Sequence, residues 1–119
     1  MNRREKGGYY EEKAEIILKE AGYEILERNY YSPWGEIDII CEKDGIIVFV
    51  EVKYRKNIDY GYGSESINKK KLKRIYLTGK KYLSEKKFLA REVRFDMIIF
   101  LGEHSTWDKD ILWGDEIWN

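Results

Sequence analysis

One cysteine, one histidine and one proline in a chain of 119 residues rule out several kinds of chemistry at once. A lone Cys41 cannot form an intrachain disulfide or a cysteine-rich zinc centre. Its place in Ile39-Ile40-Cys41 marks it as a small buried hydrophobe. Zinc would want histidine or cysteine, and the only imidazole, His104, falls in a polar stretch and reads as a surface residue. No apolar run approaches the roughly 20 residues that span a bilayer, and residues 1–8 are polar and charged. Neither a membrane segment nor a signal peptide is therefore expected, and the chain reads as soluble and cytoplasmic. Internal repeats, low-complexity tracts and a glycine-rich phosphate loop are missing as well, which sets aside nucleotide hydrolysis through a P-loop.

Net charge is also absent: 22 basic residues balance 22 acidic ones. The balance hides a segregation. Residues 53–87 hold twelve Lys or Arg against three acids, whereas residues 1–52 hold seven bases against twelve acids. The last nineteen residues are acidic too. A positive block beside acidic strands suits a polyanion held near a cation site, although a lysine-rich helix face in water gives the same pattern.

At this length one domain with a single core is expected, spanning 1–119, with its core over about 8–101 and an acidic, tryptophan-containing segment over 102–119. Ala14, Ile17, Leu18 and Ala21 keep helical spacing and Gly22 follows them, which predicts a helix over 9–22. Glu11 shares its inward stripe, so it either meets a partner on the core side or complements the dipole at the helix N-terminus. Strands are predicted over 23–29, from Glu36, over 46–53 and over 92–101, and a lysine-rich helix over 66–83. Between the third strand and that helix lies the tyrosine-bearing loop 59–64, placed to cross a substrate. Trp107, Trp113 and Trp118 are read as core closure or a dimer contact, since acidic neighbours repel phosphate.

Asp44-Gly45 between two apolar runs is a strong hairpin signal. Pairing Lys43 with Ile46 brings Asp38 opposite Glu51 and Glu36 opposite Lys53, with opposed Cβ atoms roughly 5 Å apart. Strict alternation puts Ile37, Ile39 and Cys41 on one face and Glu36, Asp38 and Ile40 on the other. Two ionised carboxylates at that separation repel by about 3 kcal/mol at an effective dielectric of 20, a cost that a divalent cation would reverse. Oxygen donors suit Mg²⁺ or Mn²⁺. Such an ion makes a phosphodiester more electrophilic, and Lys53, two residues beyond Glu51, would position water or neutralise developing charge.

Gly35-Glu36-Ile37-Asp38-Ile39-Ile40 followed by Val48-Phe49-Val50-Glu51-Val52-Lys53-Tyr54-Arg55 resembles the small bacterial YraN-like family of the PD-(D/E)XK, restriction-endonuclease-like nuclease superfamily. Glu11 and Ala14 upstream and Arg94-Phe95-Asp96 downstream extend the resemblance over about residues 8–101. It implies an α/β fold with a central mixed β-sheet flanked by helices. It also implies Asp38, Glu51 and Glu11 as metal ligands, Lys53 as the catalytic lysine and Lys71 as a phosphate contact. Ile37 stands where the superfamily has proline, and Tyr10 where the family usually has glycine. Lys70, Lys73, Arg74 and Arg55 would add contacts to nucleic acid. The expected activity is metal-dependent cleavage of DNA, structure-selective because so small a chain has little surface for reading sequence, and a homodimer is one way to cut two strands. Two other readings are an RNA nuclease and a non-catalytic or partner-dependent nucleic-acid-binding protein on a nuclease scaffold.

Overall fold

The computed structural model describes residues 2–55, 69–88 and 91–111. Helix α1 (Arg3–Glu20) leads into strands β1 (Glu24–Ser32), β2 (Gly35–Lys43) and β3 (Ile46–Arg55); helix α2 (Lys69–Glu85), β4 (Glu92–Leu101) and β5 (His104–Asp108) follow. Loop 59–64, the first turn predicted for the basic helix, and Trp113 and Trp118 lie outside the described residues.

The five strands form one sheet in the order β1-β2-β3-β4-β5. β3 and β4 pair in parallel and the other neighbours antiparallel, so the sheet is mixed, as expected. Asp44 and Gly45 both take positive φ, 52° and 81°, and make the tight hairpin their sequence predicts. Each face of the sheet carries a helix. Ala14 and Leu18 of α1 pack on Ile39, Cys41, Val48, Val50 and Ile98. Ile75, Tyr82 and Leu83 of α2 pack on Ile40, Ile47, Phe49 and Phe95. Apolar residues on both sides of β2 and β3 are what such a covered sheet requires. On the α2 side Gly79 allows close approach: a Cβ there would meet Phe95 at 3.1 Å and Phe49 at 3.2 Å.

The first helix is longer than its hydrophobic spacing suggests. Asn2 caps it by accepting the Glu5 N–H, and residues 3–8 extend it although they supply no core stripe. Glu11 therefore lies mid-helix, and the dipole explanation for it falls away. At the other end Gly22 takes φ 93° and Lys43 Nζ donates to the Ala21 carbonyl at 2.7 Å. The segment after Leu101 holds a strand, β5, in which His104 is exposed and pairs with Leu101. Trp107 closes the core there: its indole N–H donates to Asp96 at 2.8 Å and its ring lies 5.3 Å from that of Tyr23.

Alternation along β2 breaks at Asp38. Ile39 and Cys41 face α1 as expected, but Ile37 joins Ile40 on the α2 side. The pairing of β1 with β2 explains the change. Arg28 opposes Ile39 and Tyr30 opposes Ile37, while Asn29, between them, adopts φ 52°. A left-handed residue opposite Asp38 turns both strands and releases Asp38 from the regular pleat.

Candidate metal and nucleic-acid site

The sheet forks at one end, and the fork assembles the acidic residues. The β2–β3 ladder follows the predicted register from Lys43↔Ile46 to Ile39↔Val50 and stops there. β2 continues beside β1 to Gly35, whereas β3 continues beside β4 to Arg55. Asp38 and Glu51, the next predicted pair, therefore stand on diverging prongs. The Asp38 carboxylate occupies the gap and accepts the Val52 N–H at 2.8 Å, replacing a ladder hydrogen bond. Glu36 opposite Lys53 is not realised, because by that point the strands have separated and Glu36 pairs with Tyr31 of β1.

Glu11 of α1 closes over the fork from one face. Its carboxylate accepts from Arg28 Nη2 at 3.4 Å, and Glu15, one turn on, accepts from Nη1 at 3.1 Å. Arg28 thus supplies the core-side partner that Glu11 calls for. One carboxylate oxygen from each of Glu11, Glu36 and Asp38 lies within 4.8 Å of the others, the one such group among the described residues. Glu51, only 7% exposed, borders the same cavity of about 270 Å³ with Asp38, Glu11 and Lys53. From the other face Lys71 Nζ approaches Glu51 at 3.9 Å.

Proton affinities record this crowding. Burial first, and then the nearby Glu51, pushes the Asp38 carboxyl up to about 8, against which the Val52 N–H works. Glu51 is raised chiefly by burial, with Lys71 and Lys53 opposing, and Glu36 is raised by burial and by Glu11. Burial and the adjacent Lys53 lower Lys71. Several carboxylates held where ionisation is costly, with oxygen the sole donor type, fit a hard divalent cation such as Mg²⁺ or Mn²⁺.

Of the residues singled out in the sequence, Asp38, Glu51, Lys53, Glu11 and Lys71 converge here. Lys70, Lys73 and Arg74 are exposed along α2, and Arg74 borders a second cavity with Lys71. Arg55 ends β3 opposite Leu101 and is half-buried. Sequence reasoning placed Glu36 on the face of Asp38 but assigned it no role in the site, and it did not single out Arg28. Glu36 stands two residues before Asp38, a spacing that signals proximity on a strand. Arg28 gives no such sign, since its partners lie in another element.

Residues 10–100 match the profile of the uncharacterised protein family UPF0102. The chain belongs to that family. A UPF0102 protein of Fusobacterium nucleatum subsp. nucleatum is 46% identical over 117 residues, covering 98% of each chain. Another, from Sulfurihydrogenibium sp., is 43% identical over 102 residues, 86% of this chain and 89% of its own. A third, from Persephonella marina, is 47% identical over 99 residues, 83% and 85% of the two chains. UPF0102 membership agrees with the YraN-like resemblance of the Gly-Glu-Ile-Asp and Phe-Val-Glu-Val-Lys segments. The family's description states no activity, so a function for this UPF0102 chain has to be argued from the chemistry of the fork.

Proposed function

We propose that this protein is a divalent-metal-dependent nuclease that hydrolyses phosphodiester bonds in DNA. The observation that carries the reading is the convergence of Glu11, Glu36, Asp38 and Glu51 at the fork, with Lys53 and Lys71 beside them. Asp38, Glu11 and Glu36 would hold the cation, with Glu51 bordering the same space. When bound, the ion would supply Lewis-acid polarisation of the phosphodiester. The protein's own groups account for the remaining work. Lys53 lies two residues along β3 from Glu51, where its ammonium orients the attacking water and offsets charge on the phosphate. The Val52 N–H fixes Asp38, and Arg28 fixes Glu11, so the carboxylates are held in place before substrate arrives. Exposed Lys70, Lys73 and Arg74 on α2 attract the nucleic-acid backbone and set its approach.

Separating metal binding from rate tests these roles. Asp38→Asn and Glu51→Gln should lose cleavage, with Mn²⁺ binding by calorimetry weakened in the first. Lys53→Ala should keep Mn²⁺ affinity close to wild type while the cleavage rate falls by about 10²–10⁴. Full activity in any of the three would remove that residue from the mechanism.

A further inference from the structure

A second cavity of about 320 Å³ opens on the α2 side of the fork, between Trp34, Glu36, Glu51, Lys71, Arg74 and Ile75. Glu51 borders both cavities, so whatever enters the second lies next to the candidate metal site. Trp34 forms the outer wall. It is 43% exposed, and its ring makes no ring contact or hydrogen bond among the described residues. Its backbone, in contrast, is fixed. Ser32 Oγ accepts the N–H groups of Trp34 and Gly35 at 3.1 and 3.2 Å and is hydrogen-bonded to Thr78 Oγ1 of α2 at 2.7 Å. A large flat ring on a fixed backbone thus borders two cations and two acids, with no ring or hydrogen-bond partner among the described residues.

We propose that this cavity receives one unpaired nucleotide of the DNA strand being cut, its base stacked on Trp34 and its phosphate held by Lys71 and Arg74. The proposal rests on the nuclease reading and narrows its substrate to DNA with an unpaired nucleotide at the cleavage point. Charge sets the orientation: Glu36 and Glu51 repel a phosphate from the fork side, while Lys71 and Arg74 attract it on the α2 side. Size sets the stoichiometry, because a cavity at the small end of ligand sites takes one nucleotide and no duplex. Base pairing sets the selectivity. In the interior of a duplex both faces of a base are covered by its neighbours, so there an indole can stack only on a base that has left the helix.

Binding by non-cleaving protein tests this without relying on catalysis. Asp38→Asn, alone and combined with Trp34→Ala or Trp34→Phe, is titrated against labelled oligothymidylate and a blunt duplex. A 2-aminopurine-containing single strand reports stacking by fluorescence quenching. Trp34→Ala should weaken single-strand binding by about 5- to 150-fold, with Trp34→Phe losing less. Duplex affinity should stay unchanged and quenching should disappear in the Ala variant. Equal single-strand affinity with and without the indole, or an equal loss on duplex, would overturn the proposal. Failure of the nuclease reading appears separately, as wild-type protein that leaves every substrate intact in Mn²⁺.

Discussion

Asp38 answers two opposing demands: it satisfies the Val52 N–H where the ladder ends, and it sits half-buried near Glu51 with its carboxyl pushed up to about 8. Unfolded, the same group titrates near 3.8. At neutral pH the folded chain therefore holds a proton that the unfolded chain releases. The stabilisation linked to this proton is complete below about pH 4 and is lost as pH rises toward 8. Asp38→Asn keeps an oxygen for the Val52 N–H and removes the titration. In metal-free buffer at pH 8 it should be more stable than wild type by about 1–3 kcal/mol, and near pH 4 the two should be alike. Denaturant midpoints at both pH values check this, and a variant with no advantage at pH 8 would contradict it. The nearness of Asp38 and Glu51 was legible from the hairpin, because Asp44-Gly45 fixes the count. The break of alternation at Asp38 was not, since it goes with the left-handed Asn29 on the neighbouring strand, and no alternation pattern in β2 carries that information.

At the scale of elements, the fork depends on β3 being held by β4 after β2 has left it, and β4 is anchored in turn by Asp96. That carboxylate is fully buried and accepts four hydrogen bonds: from Arg94 Nε at 2.9 Å and Nη2 at 2.8 Å, from the Trp107 indole at 2.8 Å, and from the Asp110 N–H at 3.0 Å. Arg94 also donates to the Tyr23 hydroxyl at 2.8 Å, tying the start of β1 to the same knot. Asp96→Ala would leave the half-buried Arg94 guanidinium with Tyr23 as its remaining acceptor and take the acceptor from the Trp107 indole N–H and the Asp110 N–H, at a cost of about 2–4 kcal/mol. Chemical denaturation should show that loss, whereas a change below about 1 kcal/mol would show the knot to be incidental. Helix α2 makes a separate prediction. Converting Lys70, Lys73 and Arg74 together to Ala should lower the slope of log affinity for duplex DNA against log salt by about 3, if each contacts one phosphate. An unchanged slope would reduce these residues to a solvated face. The strand β4 and the hairpin were readable because their apolar runs are bounded by clear turns. β5 was not, since His104-Ser105-Thr106-Trp107-Asp108 has one apolar side chain and owes its strand form to pairing with β4.

Over the whole molecule, acids gather on the strands and cations on the helix that follows, and folding brings the two together at the fork. A neutral total conceals a strongly polarised local field, which would draw a polyanion across α2 toward carboxylates it would otherwise avoid. Among the described residues no helix is long and apolar enough to cross a membrane. The mixed sheet with a helix on each face suits a restriction-endonuclease-like core, and at the fork end the backbone pairing between β2 and β3 lapses after Ile39↔Val50. That lapse is where chemistry is expected, because it frees side chains that a continuous ladder would hold apart. The most direct test sets wild type and Asp38→Asn against labelled linear and branched DNA and RNA, in Mn²⁺ or Mg²⁺ and in EDTA. Cleavage of DNA by wild type alone, abolished by chelation, is the predicted result. No cleavage of any substrate by wild type, or equal cleavage by Asp38→Asn, would contradict the account.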